Sequence, residues 1–375
     1  MAWGRLKFWL AALALMGGAA QAETVRVASF NAALSRKAPG ALVQELRLGD
    51  SRQIAAVAEI IQRVRPDILL VSEIDFDPGG ESARLFAQAL RAGRGGAEGI
   101  DYAHVFVAPV NTGVLSGFDL DGDGAVTRPR DAHGYGLHEG HYGMALFSRF
   151  AFGAARTFQT LRWADMPDNR MPPGRYAPEA AAALRLSSKS HWDVTVETPA
   201  GPLHVLASHP TPPVFDPANA ARNADEIGFW IDYLNGADWM TDDAGRRGGA
   251  GDGPVVVLGD LNADSADGAG RDGAIRALLA HPRLQDPAPR SPGGAAAATP
   301  GHRGDPARDT ADWRESEGGP GNLRVDYVLP SRALRVLGAG VFWPAPGDPL
   351  RRLVGEGAPV RSSDHRLVWV DVTPP

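Results

Sequence analysis

Cysteine is absent from this 375-residue chain. That excludes disulfides, thiolate catalysis and Cys-ligated zinc, so stability must come from a packed core or a bound ion. Beyond the N-terminal segment there is no apolar run long enough to span a membrane. There is no Gly-x-x-x-x-Gly-Lys loop for a nucleotide-driven motor, and no Gly-x-Ser-x-Gly elbow for a serine hydrolase. His-x-x-x-His is also missing, and with it the closed zinc sites. Lys and Arg (38) are outnumbered by Asp and Glu (44), so the chain lacks the broad basic footprint of a tight nucleic-acid binder. A local basic patch is still compatible with that total. No internal repeat is visible.

What is present is an ordinary globular balance, with 44% hydrophobic and 22% charged residues. The 45 glycines and 30 prolines imply many turns and long loops. Residues 1–22 read as a secretory signal peptide. Arg5 and Lys7 supply the basic start, Phe8 to Met16 an apolar run, and Ala20-Gln21-Ala22 the small-x-small cleavage site. The remainder, 23–375, is expected to be one catalytic domain, periplasmic or secreted, with a net charge near −8 once Arg5 and Lys7 are removed. Nothing implies a transmembrane segment or a stable protein partner, and a monomer is expected.

Apolar runs predict strands at Val25–Phe30, Asp67–Ser72, Gly143–Ser148, Leu203–Ser208, Val255–Leu258, Val325–Leu329 and Leu367–Val372. Several are wholly apolar, as in strands covered on both faces. Helical spacing marks Ser51 to Val64, Asn219 to Leu234 and Asp272 to Leu279. The mixture implies an α/β architecture. Ala92–Gly99 and Asp242–Gly253 read as flexible loops. Pro287–Gly321 reads as a longer excursion whose Asp309–Trp313 segment could form a cleft wall.

Polar residues recur at the ends of the apolar strands. Asn31, Glu73, His209, Asp260 with Asn262, Asp326, and Asp364 with His365 each stand at such an end. One polar strand end is normally a turn residue. Six that all carry Asp, Asn, Glu or His suggest loops converging on one rim. Oxygen ligands beside imidazoles suit Mg²⁺, Mn²⁺ or Ca²⁺ with acid/base histidines.

The ordered motifs Ala28-Ser29-Phe30-Asn31, Ser72-Glu73-Ile74, Ala207-Ser208-His209-Pro210, Leu258-Gly259-Asp260-Leu261-Asn262, Arg324-Val325-Asp326-Tyr327-Val328 and Ser363-Asp364-His365 resemble the endonuclease/exonuclease/phosphatase superfamily. The resemblance spans nearly all of residues 25 to 372. It implies a four-layer sandwich of two packed mixed β-sheets flanked by helices, and hydrolysis of a phosphate ester with Mg²⁺ or Mn²⁺. By the same resemblance, Glu73, Asn31 and Asp364 would hold the metal. Asp326 would orient His365, and Asp260 or His365 would activate water. Asn262 would donate to the phosphate, and His209 would contact phosphate or act as general acid.

The chain departs from compact members at an insertion, Asn111 to Tyr142. Within it Asp119, Asp121 and Asp123, followed by Gly124, imitate the start of a calcium loop. Position 12 is Arg130 rather than the bidentate Glu, although Asp131 follows. The insertion also carries His133, His138, His141 and Tyr142, of which His141 and Tyr142 are candidate substrate contacts. Ser187 to Trp192 is either a phosphate contact or an exposed strand edge.

A phosphodiester of nucleic-acid type is the leading substrate. A small sugar or inositol phosphate is the alternative, and a lipid head group would need an apolar docking loop. From another class, a non-catalytic Ca²⁺-dependent binding protein on the same fold should have lost Glu73, Asp260 or His365, yet all three are present.

Overall fold

The computed structural model describes residue 1 and residues 24–270, 272–313, 319–355 and 361–373. The signal-peptide segment lies almost wholly outside the described residues.

Two mixed sheets carry the fold. The first runs β10-β11-β1-β2-β4-β3 and the second β5-β6-β7-β8-β9. The first contains β1 (Val25–Asn31), β2 (Ile68–Ser72), β3 (His104–Phe106), β4 (Met144–Ser148), β10 (Arg335–Val341) and β11 (Val368–Thr373). The second contains β5 (Phe152–Thr157), β6 (His191–Thr198), β7 (Gly201–Ser208), β8 (Val255–Asp260) and β9 (Asp326–Pro330). Helices α1 (Ala41–Leu48), α2 (Arg52–Val64) and α3 (Glu81–Arg91) belong to the first sheet's side, and α5 (Asn219–Leu234) and α6 (Asp272–Leu279) to the second's. Shorter helices are α4 (Pro178–Ala183), α7 (Pro292–Ala296) and α8 (Arg351–Val354).

The wholly apolar strands are explained by this layering. In β8, Val256 and Leu258 join the core shared with β1 and β2, whereas Val255 and Val257 face α5 and α6. Alternate side chains leave opposite faces of a strand, so both faces are buried and polar positions have no place between them. In α2, Ile54, Val57, Ile60, Ile61 and Val64 form the buried stripe expected from their spacing. Full burial of each such side chain stabilises by about 1.5–3 kcal/mol. The helix starts at Ser51, whose side chain accepts the Ile54 amide.

The predicted strands and helices form, with shifts of a residue or two at most ends. Strands β3, β5, β6 and β10 and helices α1 and α3 were not expected. β5 and β10 mix polar and small residues with apolar ones, which blurs the two-residue period. The loop expected to be flexible at Asp242–Gly253 is pinned instead. Asp242 pairs with Arg156 (2.9 Å) and Arg246 (2.8 Å), and the Asp243 carboxylate accepts the Gln159 and Thr160 amides. No described helix is long and apolar enough to cross a membrane.

Candidate functional site

Strand direction brings the polar ends together. β1 and β2 are parallel, as are β7 and β8, so Asn31 and Asp260 end their strands and Glu73 and His209 directly follow theirs, all at C-terminal ends. β11 is antiparallel to β1 and β9 is antiparallel to β8, so His365 and Asp326 stand at or before their N-terminal ends. Asp260 and Asp326 are direct partners in the ladder. Because the two sheets pack face to face, all these ends share one rim.

Asp260 is the hub. Its Oδ2 accepts Asn31 Nδ2 at 3.0 Å and lies 3.3 Å from His209 Nε2 and 3.7 Å from His365 Nε2. Its Oδ1 accepts the Asn262 backbone amide at 2.9 Å. The Nδ1 of His365 meets Asp326 Oδ2 at 2.9 Å. The Asn262 side chain donates to Pro210 O at 3.1 Å. Ser363 Oγ ties this loop down, donating to Asn31 O (2.7 Å) and accepting the His365 amide (3.0 Å).

The charges follow from this geometry. Burial opposes ionisation of Asp260, but His365, His209 and Asn31 outweigh it and hold its carboxyl well below the usual range. Burial likewise opposes protonation of His365, yet Asp326 and Asp260 raise it well above an ordinary histidine. Burial pushes Asp326 up to about 6, against the pull of His365. His209 is lowered to about 4 by burial and by the Lys189 charge. The surroundings therefore favour the anionic form of Asp260, the protonated form of His365 and the neutral form of His209.

Glu73 and Asp364 lie beside this ring, and Asn31 links it to Glu73. Glu73 leaves β2 with φ of 58°, a conformation that costs a non-glycine residue energy and recurs at functional sites. Its pKa is raised by burial and by Asp364, against His365, Asn31 and Lys189. Asp364 Oδ2 accepts Trp313 Nε1 at 2.9 Å, and the Trp313 ring stands edge-on to His365 at 5.4 Å. Asn31 Oδ1 takes the Ala33 amide at 3.2 Å and keeps a second lone pair. Glu73 interacts with the Asp364 carboxylate and is hydrogen-bonded by Asn31, so these residues offer hard oxygen donors of the kind divalent cations take. Asp260, Asp326 and His365 also place ligand-type atoms within 4.8 Å of one another. There, however, both His365 nitrogens face the two acids, which suits proton handling better than metal ligation.

The Ser187–Trp192 stretch is buried throughout, and β6, which it enters, is an interior strand. The exposed-edge reading of it is therefore corrected. Lys189, buried within it, feels Glu226, Glu73 and Asp260, while burial lowers its pKa. The insertion is anchored here, since the Asn111 amide donates to Lys189 O at 2.9 Å and its side chain to Ser187 O at 2.8 Å. Asp119, Asp121 and Asp123 are exposed and are joined by buried Asp131, the residue after the twelfth position. Their oxygens accept loop amides, including Gly122 (2.7 Å) and Gly124 (2.9 Å) at Asp119 and Thr127 (2.7 Å) at Asp131. Asp75, His138 and His141 form a further cluster. Its imidazoles are engaged by backbone: His138 faces Arg36 O and Glu139 O, and His141 Nδ1 accepts the Leu137 amide. The Tyr142 ring lies against that of His141, and its pKa is raised by burial and by nearby Glu73.

Three supports complete the rim, and two of them, Thr310 and Glu226, had little sequence signal. Thr310 Oγ1 accepts the Val325 and Asp326 amides, both at 3.0 Å. Ser363 anchors the histidine loop. Glu226, on the buried face of α5, accepts the Ser188 and Thr211 amides, both at 2.6 Å. An acid among the apolar positions of α5 was the available clue to Glu226.

The Endonuclease/Exonuclease/phosphatase family matches residues 28–365. An endonuclease/exonuclease/phosphatase from Beutenbergia cavernae is 22% identical with a TM-score of 0.52, covering 94% of this chain and 72% of that one. A family protein from Leptotrichia buccalis is 14% identical with a TM-score of 0.50, covering 93% and 99%. At these identities the likeness is one of fold. No curated protein matches the sequence.

Proposed function

The chain belongs to the endonuclease/exonuclease/phosphatase family, and from that premise we propose an exported, divalent-metal-dependent phosphodiesterase of nuclease type. The observation that carries the reading is the ring Asn31–Asp260–His209–His365–Asp326 beside Glu73 and Asp364. Export rests on the sequence pattern of residues 1–22 alone.

Asp260 orients the attacking water and takes its proton. Its second oxygen is fixed by the Asn262 amide, so the carboxylate cannot rotate away. Protonated His365, aligned by Asp326, donates to the phosphate as negative charge builds there. Neutral His209 faces the same Asp260 oxygen from a second side. Lys189 adds a cation close to Glu73 and Asp260. A divalent ion held by Glu73, Asp364 and, directly or through water, Asn31 would neutralise a phosphate oxygen and stabilise the leaving group. Ca²⁺ at Asp119, Asp121, Asp123 and Asp131 belongs to the same reading, supported by the convergence of their oxygens. A rise in melting temperature on adding Ca²⁺, absent in Asp131→Asn, tests it.

The experiment is hydrolysis of plasmid DNA, RNA, bis-p-nitrophenyl phosphate, p-nitrophenyl phosphate, sphingomyelin and inositol phosphates, with Mg²⁺, Mn²⁺, Ca²⁺ or EDTA. Diester cleavage that needs metal is expected. Activity in EDTA overturns the metal assignment, and activity on monoesters alone overturns the diester assignment.

A further inference from the structure

A groove of about 890 Å³ runs along the outer face of α2, and none of the ring residues lines it. Arg52, Arg94, Arg351, Arg352 and Arg361 line it, with Glu59 as the single acid among the described lining residues. That is a concentrated positive surface on a chain whose net charge is −6. Glu59 offsets only part of it: its carboxylate pairs with Arg352 (2.9 Å) and with Arg63 (2.8 Å) outside the lining, which leaves Arg52, Arg94, Arg351 and Arg361 in excess. The Nε of Arg94 and the Nε of Arg351 are buried and have no hydrogen-bond partner. Both residues line the groove, where a guanidinium group pairs readily with an anionic oxygen. Ala55 and Ala56 lie in the groove between these arginines, where their short side chains leave room for a ligand.

One end of the groove adjoins the catalytic rim. Gln53, next to Arg52, donates to Ala33 O and Ser362 O, both at 2.9 Å. Arg361 directly precedes Ser362-Ser363, whose Ser363 holds Asn31 O. From Arg52 to Glu59 the helix rises about 10 Å, roughly the length of three stacked nucleotides at ~3.4 Å each. Arginines spread over that distance exceed what one phosphate can use.

We propose that this groove binds the phosphate backbone of a nucleic-acid strand whose scissile bond lies in the Asp260–His365 site. The proposal rests on the phosphodiesterase reading for its catalytic end, but the groove's affinity can be measured separately.

The test compares wild type with the triple variant Arg52→Gln, Arg94→Gln, Arg361→Gln. Two substrates are used, a fluorescein-labelled single-stranded DNA 20-mer and bis-p-nitrophenyl phosphate. KM for the 20-mer is expected to rise at least about tenfold, and the slope of log KM against log salt to flatten by about 2, since each lost phosphate contact removes ~0.7 from a single-strand slope. Hydrolysis of the small diester should stay within about twofold, and lysine at the three positions should recover most of the DNA affinity. Equal KM and salt slope in wild type and triple variant overturn the groove proposal. If wild type cleaves the small diester but neither DNA nor RNA, the groove proposal falls while the diesterase reading stands. If it cleaves no diester, that reading falls. Fluorescence anisotropy with the 20-mer then decides the groove, where wild-type affinity in the triple variant overturns it.

Discussion

The imidazole of His365 is held between two acids, with Nδ1 at 2.9 Å from Asp326 and Nε2 at 3.7 Å from Asp260. Asp326 therefore selects which nitrogen faces the reaction and keeps the ring charged. In Asp326→Asn the ring loses the carboxylate that most raises its pKa. Activity that needs protonated His365 should then be lost at a lower pH, so the alkaline limb of the pH–rate profile moves toward acid. The rate near neutrality should fall by about 10²–10⁴. An unmoved alkaline limb on bis-p-nitrophenyl phosphate would count against His365 as the charged donor.

Much of this site could be read in the sequence because its residues follow strands buried on both faces. The apolar run Val255 to Leu258 ends two residues before β8 does, and Asp260 and Asn262 stand out against it. The supports were harder to see. Thr310 works through its backbone-facing hydroxyl, and one threonine in a Pro/Gly-rich loop has no distinguishing pattern. Glu226 requires knowing that α5 packs its acid inward. The groove arginines come from residues 52, 94, 351, 352 and 361, which lie on α2, on α8 and in the segments after α3 and α8, and only the packing of these elements brings them together. The sequence total also pointed away from a basic surface, because composition carries no information about position.

Gly259 provides a test of how tightly the rim is built. Its φ is 147°, and a β-carbon there would lie 1.9 Å from Ser208 O on the neighbouring strand. Gly259→Ala must therefore push β7 and β8 apart where His209 and Asp260 emerge. A loss of at least about 2 kcal/mol in urea denaturation is expected, along with activity reduced beyond the unfolded fraction. A variant with wild-type stability would show that the strands separate at no cost.

Several buried histidines contribute to the acid limit of stability, His191 and His133 among them. Burial pushes His191 down to about 3, and burial with the Arg185 and Arg222 charges pushes His133 down to about 4. Both are neutral when folded, whereas the unfolded chain takes up their protons near pH 6.5. Their contribution is complete above that pH and is lost as pH falls toward the folded values. At pH 5 each should cost about 2 kcal/mol relative to pH 7.5. Urea melts at the two pH values check this, and His133→Gln should remove its share of the difference. Equal pH sensitivity in wild type and variant would contradict the assignment.

Trp313 separates the metal from the rest of the chemistry. Its indole N–H reaches Asp364 at 2.9 Å while its ring packs against His365. Phenylalanine keeps an aromatic edge against the imidazole but leaves the Asp364 oxygen without its donor. A carboxylate that loses such a partner is less well oriented, and changes of this kind cost about 10–100-fold in metal affinity or activity. Trp313→Phe should therefore raise the Mg²⁺ concentration for half-maximal activity by about tenfold or more, leaving the rate at saturating Mg²⁺ within about threefold of wild type. A fall in the saturating rate with unchanged Mg²⁺ dependence would instead mean that Trp313 acts through His365, and would remove the main support for placing Asp364 at the metal.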